Sequence, residues 1–156
     1  MHTGESILIK VPREKVFEVV SDLGRWPILL PHYRSVTFLA KESGRDIVRM
    51  AASRSGLPIS WVSAYEADAA SLELRFEHLR RWTKGMQVVW TLTPTRDGTR
   101  VEIVHELNFR IRSLAWLAEP IIGGFFIGNI ARKTLRVFKQ VLESAAGGRE
   151  AAVRKS

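Results

Sequence analysis

The chain has 156 residues, of which 46% are hydrophobic and 26% charged, a size and balance that fit one soluble domain with a sizeable core. It contains no cysteine, which excludes disulfides, thiolate metal sites and a cysteine nucleophile, and its four histidines, at positions 2, 32, 78 and 105, lack ligand spacing. No metal or cofactor is expected, and the formal net charge of +8 suits an acidic protein partner, an anionic membrane surface or a merely solvated basic exterior.

The segment SILIKVP alternates Ile7, Ile9 and Val11 with Leu8 and Lys10 and predicts a strand, after which Pro12 sits where a first helical turn tolerates it. In REKVFEVVSDL, Val16, Phe17, Val20 and Leu23 recur at helical spacing, and Gly24 is the stop signal. WPILLPHY follows, and its Pro27 and Pro31 allow one short helical turn. Six strand-like runs come next: SVTFLAKE, DIVRMAAS, PISWVSAYEA, SLELRFEHL, GMQVVWTLTP and TRVEIVHELNFRI. The breaks between them, such as Gly44-Arg45, Ser55-Gly56 and Asp97-Gly98, suit hairpins.

From Ser113 the period changes. Beyond Pro120, one helical face collects Ile127, Ile130, Ala131, Leu135, Phe138, Val141 and Leu142, and the other collects Arg132, Lys133, Arg136 and Lys139. This predicts a long amphipathic helix over about residues 120–143. GGREAAVRKS has no apolar periodicity, so the expected division is a ligand-binding domain at 1–145 and a disordered basic tail at 146–156. The N-terminus shows no basic leader followed by an apolar run, and no window reaches the roughly 18 apolar residues of a membrane span. The expected location is cytoplasmic.

The element order implies an α+β fold in which a curved antiparallel sheet of seven strands wraps one long C-terminal helix, with two short helices after the first strand. A single helix cannot fill so wide a concave face, so a cavity is expected, with the aromatics of WPILLPHY, Trp26 and Tyr33 among them, turned inward at one end. Strand alternation assigns the other inward side chains. Leu72, Leu74, Phe76 and His78 share a face, as do Met86, Val88, Trp90 and Leu92, and as do Val101, Ile103, His105 and Leu107. Val48, Met50 and Ala52 point in with Arg49 out, and Trp61, Ser63 and Tyr65 fall together. Leu30, Ile127 and Ala131 complete the expected lining. A solid core would need only aliphatic residues, because every buried imidazole or phenol requires a partner. Histidines, tyrosines and tryptophans converging from separate elements therefore point to a cavity for a hydrophobic small molecule.

The segments SDLGRWPILLPHY, ISWVSAY, GMQVVWTLTPTRDGTRVEIVHEL and IARKTLRVFKQVLE resemble the polyketide cyclase/dehydrase family of the START-like superfamily, over about residues 3 to 143. That superfamily also covers Bet v 1, START lipid-transfer domains and coenzyme Q-binding proteins. The resemblance implies a helix-grip fold and an aromatase/cyclase-like protein that folds a poly-β-ketone in the cavity and promotes aldol ring closure and dehydration. By position, Trp26, Tyr33, Trp61, Met86 and Trp90 match pocket residues, and His105 takes the place of a polar residue on the last strand. Tyr65 departs from the pattern, standing where the family has an arginine at the end of WVSxR. Aldol closure needs a base and an oxyanion donor. His105 is the candidate base, and Tyr33 and Tyr65 are the candidate donors. The basic surface would dock an acyl carrier protein. The alternative is a carrier for an isoprenoid quinone or lipid, with LAEPIIGGFFIG as an apolar gate and the basic helix face on an anionic membrane surface. The dispersed basic residues carry no groove-reading motif, so no nucleic acid partner is expected.

Overall fold

In a computed structural model, residues 1–108 and 127–155 are described. Strand β1 (His2–Ile9) leads into helix α1 (Arg13–Val20), a 3-10 turn (Leu23–Arg25) and the short helix α2 (Trp26–Leu29). Strands β2 (Tyr33–Glu42), β3 (Arg45–Arg54), β4 (Leu57–Asp68), β5 (Glu73–His78), β6 (Gln87–Thr95) and β7 (Gly98–Glu106) then form a meander, and helix α3 spans Gly128–Lys155.

Local chemistry accounts for these boundaries. Pro12 precedes the first helical residue of α1, where its missing N–H costs nothing, and Pro27 occupies the first turn of α2 for the same reason. The β2–β3 and β3–β4 hairpins turn on Ser43-Gly44 and Ser55-Gly56, each pair with both φ angles positive. Those are the mirror-image two-residue turns whose twist matches the flanking strands. Gly98 is required by a close approach: a Cβ there would lie 2.2 Å from the Ile9 carbonyl oxygen.

The sheet order is β1-β7-β6-β5-β4-β3-β2, antiparallel throughout, so the first strand pairs with the last and β2 forms the other edge. Helix α3 is fastened to β1. Arg132 pairs with Glu5 at 2.7 Å, Lys139 Nζ donates to the Leu8 carbonyl at 2.6 Å, and the Glu143 carboxylate accepts the Lys10 amide at 3.0 Å. Thus Arg132 and Lys139, expected on a free basic face, join helix to sheet, whereas Lys133 and Arg136 are exposed. The architecture is the expected α+β helix-grip.

The irregular stretch after α1 faces the interior. Trp26 is 2% exposed, its ring centroid lies 5.1 Å from that of Tyr33, 5.5 Å from Trp90 and 5.6 Å from Phe138, and its indole N–H donates to the Val20 carbonyl at 3.0 Å. The expected inward parity holds on β3, where Val48, Met50 and Ala52 are buried and Arg49 is exposed. Two expectations meet a different outcome or none. Helix α3 extends to Lys155 and so takes in residues 146–155, which the sequence reading set apart as a tail. The segment read as an apolar gate, LAEPIIGGFFIG, lies outside the described residues up to 126. Among the described residues no helix is long and apolar enough to cross a membrane.

Candidate functional site

The sheet register sets His105 and Tyr65 on one cross-strand row of the inner face and His78 and Ser63 on the next, with Tyr33 further along, opposite Ala52. On one row Thr3, His105 and Val88 lie side by side, and Val88 faces Phe76, which faces Tyr65. On the next row His78 faces Ser63, and Ser63 faces Val48. The His78 amide donates to the Met86 carbonyl at 2.9 Å, which brings Met86 beside it. Partners across an antiparallel pair project to the same face, so both rows look toward α3.

Burial and pairing distinguish these groups. His78 Nδ1 is 2.8 Å from Thr83 Oγ1, on the 3-10 turn Arg81–Thr83, and its ring lies parallel to Trp61 with centroids 6.0 Å apart. Burial lowers its pKa to about 4. His105 is lowered to about 3, first by burial and then by the nearby His78. Both imidazoles are therefore neutral at pH 7 and serve as hydrogen-bonding groups or proton acceptors rather than cations. Ser63 is fully buried, and its Oγ has no hydrogen-bond partner within the protein; the same is true of His105 Nδ1 and of Thr3 Oγ1 beside it. Buried polar atoms are nearly always paired, so three unpaired ones on a single face are an exception.

A second polar group bridges the start of β2 and α3. His32 Nε2 is 2.8 Å from Thr134 Oγ1, and the Tyr33 ring packs edge-on against His32 with centroids 4.9 Å apart. All three residues are buried. Burial raises the Tyr33 pKa, opposed by the neighbouring Thr134, and lowers His32 to about 4, helped by the charge of Lys133.

Tyr65 is buried in the core. Its hydroxyl donates to the Ser21 carbonyl at 2.7 Å, and burial, then Asp46 and Asp22, raise its pKa. Its one proton ties β4 to the end of α1. Leu30, Met50, Phe76, Met86, Val88, Trp90 and Ala131 are buried in the same core as Trp26, with Trp61 and Ile127 half-buried against it. His32, Thr134 and Thr3 were not singled out from sequence. Thr134 carried a signal, a hydroxyl three residues after Ala131 within the apolar stripe. A surface recess of about 440 Å³ between Lys10–Glu14 and Pro94–Gly98 contains none of these residues. Among the described residues no cluster of histidines or carboxylates could hold a metal ion.

This geometry sits on a chain whose residues 9–136 match the family described as polyketide cyclase / dehydrase and lipid transport. The chain belongs to that family. It is 36% identical over 106 residues to a protein of Streptomyces cyaneus assigned as a polyketide cyclase, covering 64% of this chain and 68% of that protein. It is 28% identical over 114 residues to the granaticin polyketide synthase bifunctional cyclase/dehydratase of Streptomyces violaceoruber, covering 71% of this chain but only 35% of that protein. Among solved structures, the Zhui aromatase/cyclase of Streptomyces sp. R1128 superposes with a TM-score of 0.74 at 16% identity, covering 92% of this chain and 93% of that one. A START superfamily protein of Mycobacterium smegmatis gives 0.67 at 15% identity, covering 92% and 98%. These likenesses show that the START/Bet v 1-like fold is shared.

Proposed function

We propose that this family member takes a hydrophobic polyketone between its sheet and α3 and promotes aldol cyclisation and dehydration there. The observation that carries the reading is the pair of fully or nearly fully buried, unpartnered groups, Ser63 Oγ and His105 Nδ1, on an inner face otherwise built of apolar and aromatic side chains. Such a face, with few polar groups placed on it, suits a ligand that is mostly carbon and carries carbonyl oxygens at intervals.

The chemistry follows from the groups. With its proton on Nε2, the neutral imidazole of His105 offers a lone pair at Nδ1 to a methylene proton flanked by two carbonyls. Burial makes that nitrogen a weak base, so transfer is favourable only while donors hold the enolate oxygen, a task this reading gives to the Ser63 hydroxyl and the Tyr33 phenol. The enolate carbon then attacks a second ketone carbonyl of the same chain, the new alkoxide takes the proton back from the imidazolium, and loss of a further C–H proton with the hydroxyl releases water. Trp61 and Trp90 would fix the chain conformation that brings the two carbons together. The exposed Lys133 and Arg136 support docking of an acidic carrier protein that delivers the chain.

The test is turnover of a carrier-bound poly-β-ketone followed by mass spectrometry of the products. His105→Gln should slow ring closure by about 10²-fold while the protein stays folded. Full turnover by that variant, or none by the wild type on any β-polyketone, would refute the assignment.

A further inference from the structure

We propose that the outer edge of β2 pairs with the same strand of a second copy of this chain, about a two-fold axis through Phe38. This interaction goes beyond what the interior binds and does not depend on it. The sheet has two edges, β1 and β2. The β1 edge is occupied by α3, whose Lys139 donates to the Leu8 carbonyl and whose Arg132 pairs with Glu5. Beyond β2 no strand follows among the described residues, and its residues 34–42 are exposed apart from half-buried Val36. An open row of amides and carbonyls is a template for another strand. Its side chains invite cover as well: Phe38 is 52% exposed and Leu39 41%, and Ile28, 81% exposed, stands on α2, which packs against β2. Three of the four large hydrophobic side chains exposed among the described residues thus gather on this side of the molecule.

Symmetry and charge choose the register and the occupant. Directly opposite residues of an antiparallel pair point to the same face, so a two-fold axis between identical strands must pass where a residue faces its own copy. Bulges at Arg34 and Leu39 leave positions 33, 35–38 and 40–42 in the ladder. With Phe38 on the axis, Val36 faces Lys41 of the second copy, and Ser35, with Arg34 beside it, faces Glu42. An axis at Thr37 would bring Lys41 against Arg34, an axis at Ala40 would set Phe38 on Lys41, and an axis at Val36 would leave Glu42 unmatched. Arg34 and Glu42 are exposed, and neither takes part in an ion pair among the described residues. The strand is therefore complementary to itself, apolar at its centre and oppositely charged at matching distances from it, as an isologous contact requires. The two bulges interrupt the ladder and keep the association weak and reversible.

Two measurements test this. Sedimentation velocity of the full chain at rising concentration should show a reversible dimer, and a chain still monomeric at about 1 mM would overturn the proposal. Arg34→Glu and Glu42→Arg should each weaken the dimer about tenfold, because like charges then meet on both sides of the axis, and the two changes together should restore it. A dimer indifferent to the single reversals, or not restored by the double one, would refute the β2 contact. Cross-linking reads the axis itself. The chain has no cysteine, so Phe38→Cys supplies a single thiol there. Facing Cα atoms of an antiparallel pair lie about 4.5–5.5 Å apart, within disulfide range, so mild oxidation should join two copies of this variant. Leu57→Cys, at a residue 55% exposed at the start of β4, should remain uncross-linked. Equal cross-linking of the two variants would mean random collision and would refute the axis.

Discussion

Acidification should destabilise this protein well above the pH at which carboxylates titrate, because three histidines are folded into its interior as neutral imidazoles. His32, His78 and His105 are 2%, 8% and 8% exposed, and their pKa values are lowered from 6.5 to about 4, 4 and 3, chiefly by burial. In the unfolded chain each takes up a proton near pH 6.5, while the folded chain takes up none until much lower pH. Below pH 6.5 the unfolded state therefore binds more protons, and stability falls as pH falls. At about 1.4 kcal/mol per pH unit and proton, each histidine withdraws about 2 kcal/mol between neutrality and pH 5. Together they withdraw about 6 kcal/mol, comparable with the whole stability of a small domain. Unfolded carboxylates titrate near pH 4, so the window from pH 6.5 to 5 belongs to the histidines. Urea midpoints followed by tryptophan fluorescence at half-unit steps between pH 7.5 and 5 measure the slope, and His105→Gln should remove about a third of it. An unchanged slope in that variant, or a flat profile in the wild type, would refute the claim that these rings are buried neutral.

Tyr65→Phe should cost about 1–2 kcal/mol in urea or thermal unfolding, because it leaves the Ser21 carbonyl without its donor, and it should leave turnover of a carrier-bound poly-β-ketone intact. A loss of turnover in the folded variant would return Tyr65 to the ligand site. Lys133→Glu with Arg136→Glu should change stability by less than about 0.5 kcal/mol, since both are exposed, yet weaken binding to an acidic acyl carrier protein; unaltered binding would place docking elsewhere. Arg132→Glu should behave differently, losing about 1 kcal/mol or less of stability, because its 2.7 Å partner Glu5 would then face a second carboxylate.

The sheet was legible because its strands alternate cleanly. The parity of Leu74, Phe76 and His78, or of Val101, Ile103 and His105, fixes the inner face without knowledge of any contact, and all six are buried. Direction along that face was not legible. Tyr65 shares parity with Ser63 and lies on the cross-strand row of His105, yet its hydroxyl is turned to the Ser21 carbonyl at the end of α1. Only the packing of α1 across the sheet decides this, and α1 carries no sequence signal for where its last carbonyls point. His32 and Thr134 were hidden for a similar reason. They are 102 residues apart and acquire meaning as a pair only when α3 docks beside the turn after α2. The basic stripe of α3 was read as one surface, yet a long arginine or lysine at the margin of an amphipathic helix can turn back to the sheet, as Arg132 and Lys139 do.

The proposed function divides the interior between stability and binding, with Ser63 at the division. Around Trp26, Phe138, Leu74 and Ile103 the core is closely packed and apolar, and the Trp26 indole N–H, its polar exception, has its acceptor. Ser63 lies fully buried between Val48 and His78 on the neighbouring strands, with a hydroxyl that no protein group meets. A buried polar atom without a partner costs about 1–3 kcal/mol, and replacing it by an apolar group of similar size relieves that cost. Ser63→Ala removes only one oxygen and leaves almost no cavity, so it should raise stability by about 1 kcal/mol in urea unfolding. The same change should weaken binding of acetonaphthone relative to ethylnaphthalene, which has the same shape and no acceptor, and slow turnover of a polyketone, the exchange of function for stability expected where a polar group is kept for a ligand. A loss of more than about 1 kcal/mol in Ser63→Ala would mean that the hydroxyl is already satisfied in the folded protein, and Ser63 would then belong to the core rather than to the site.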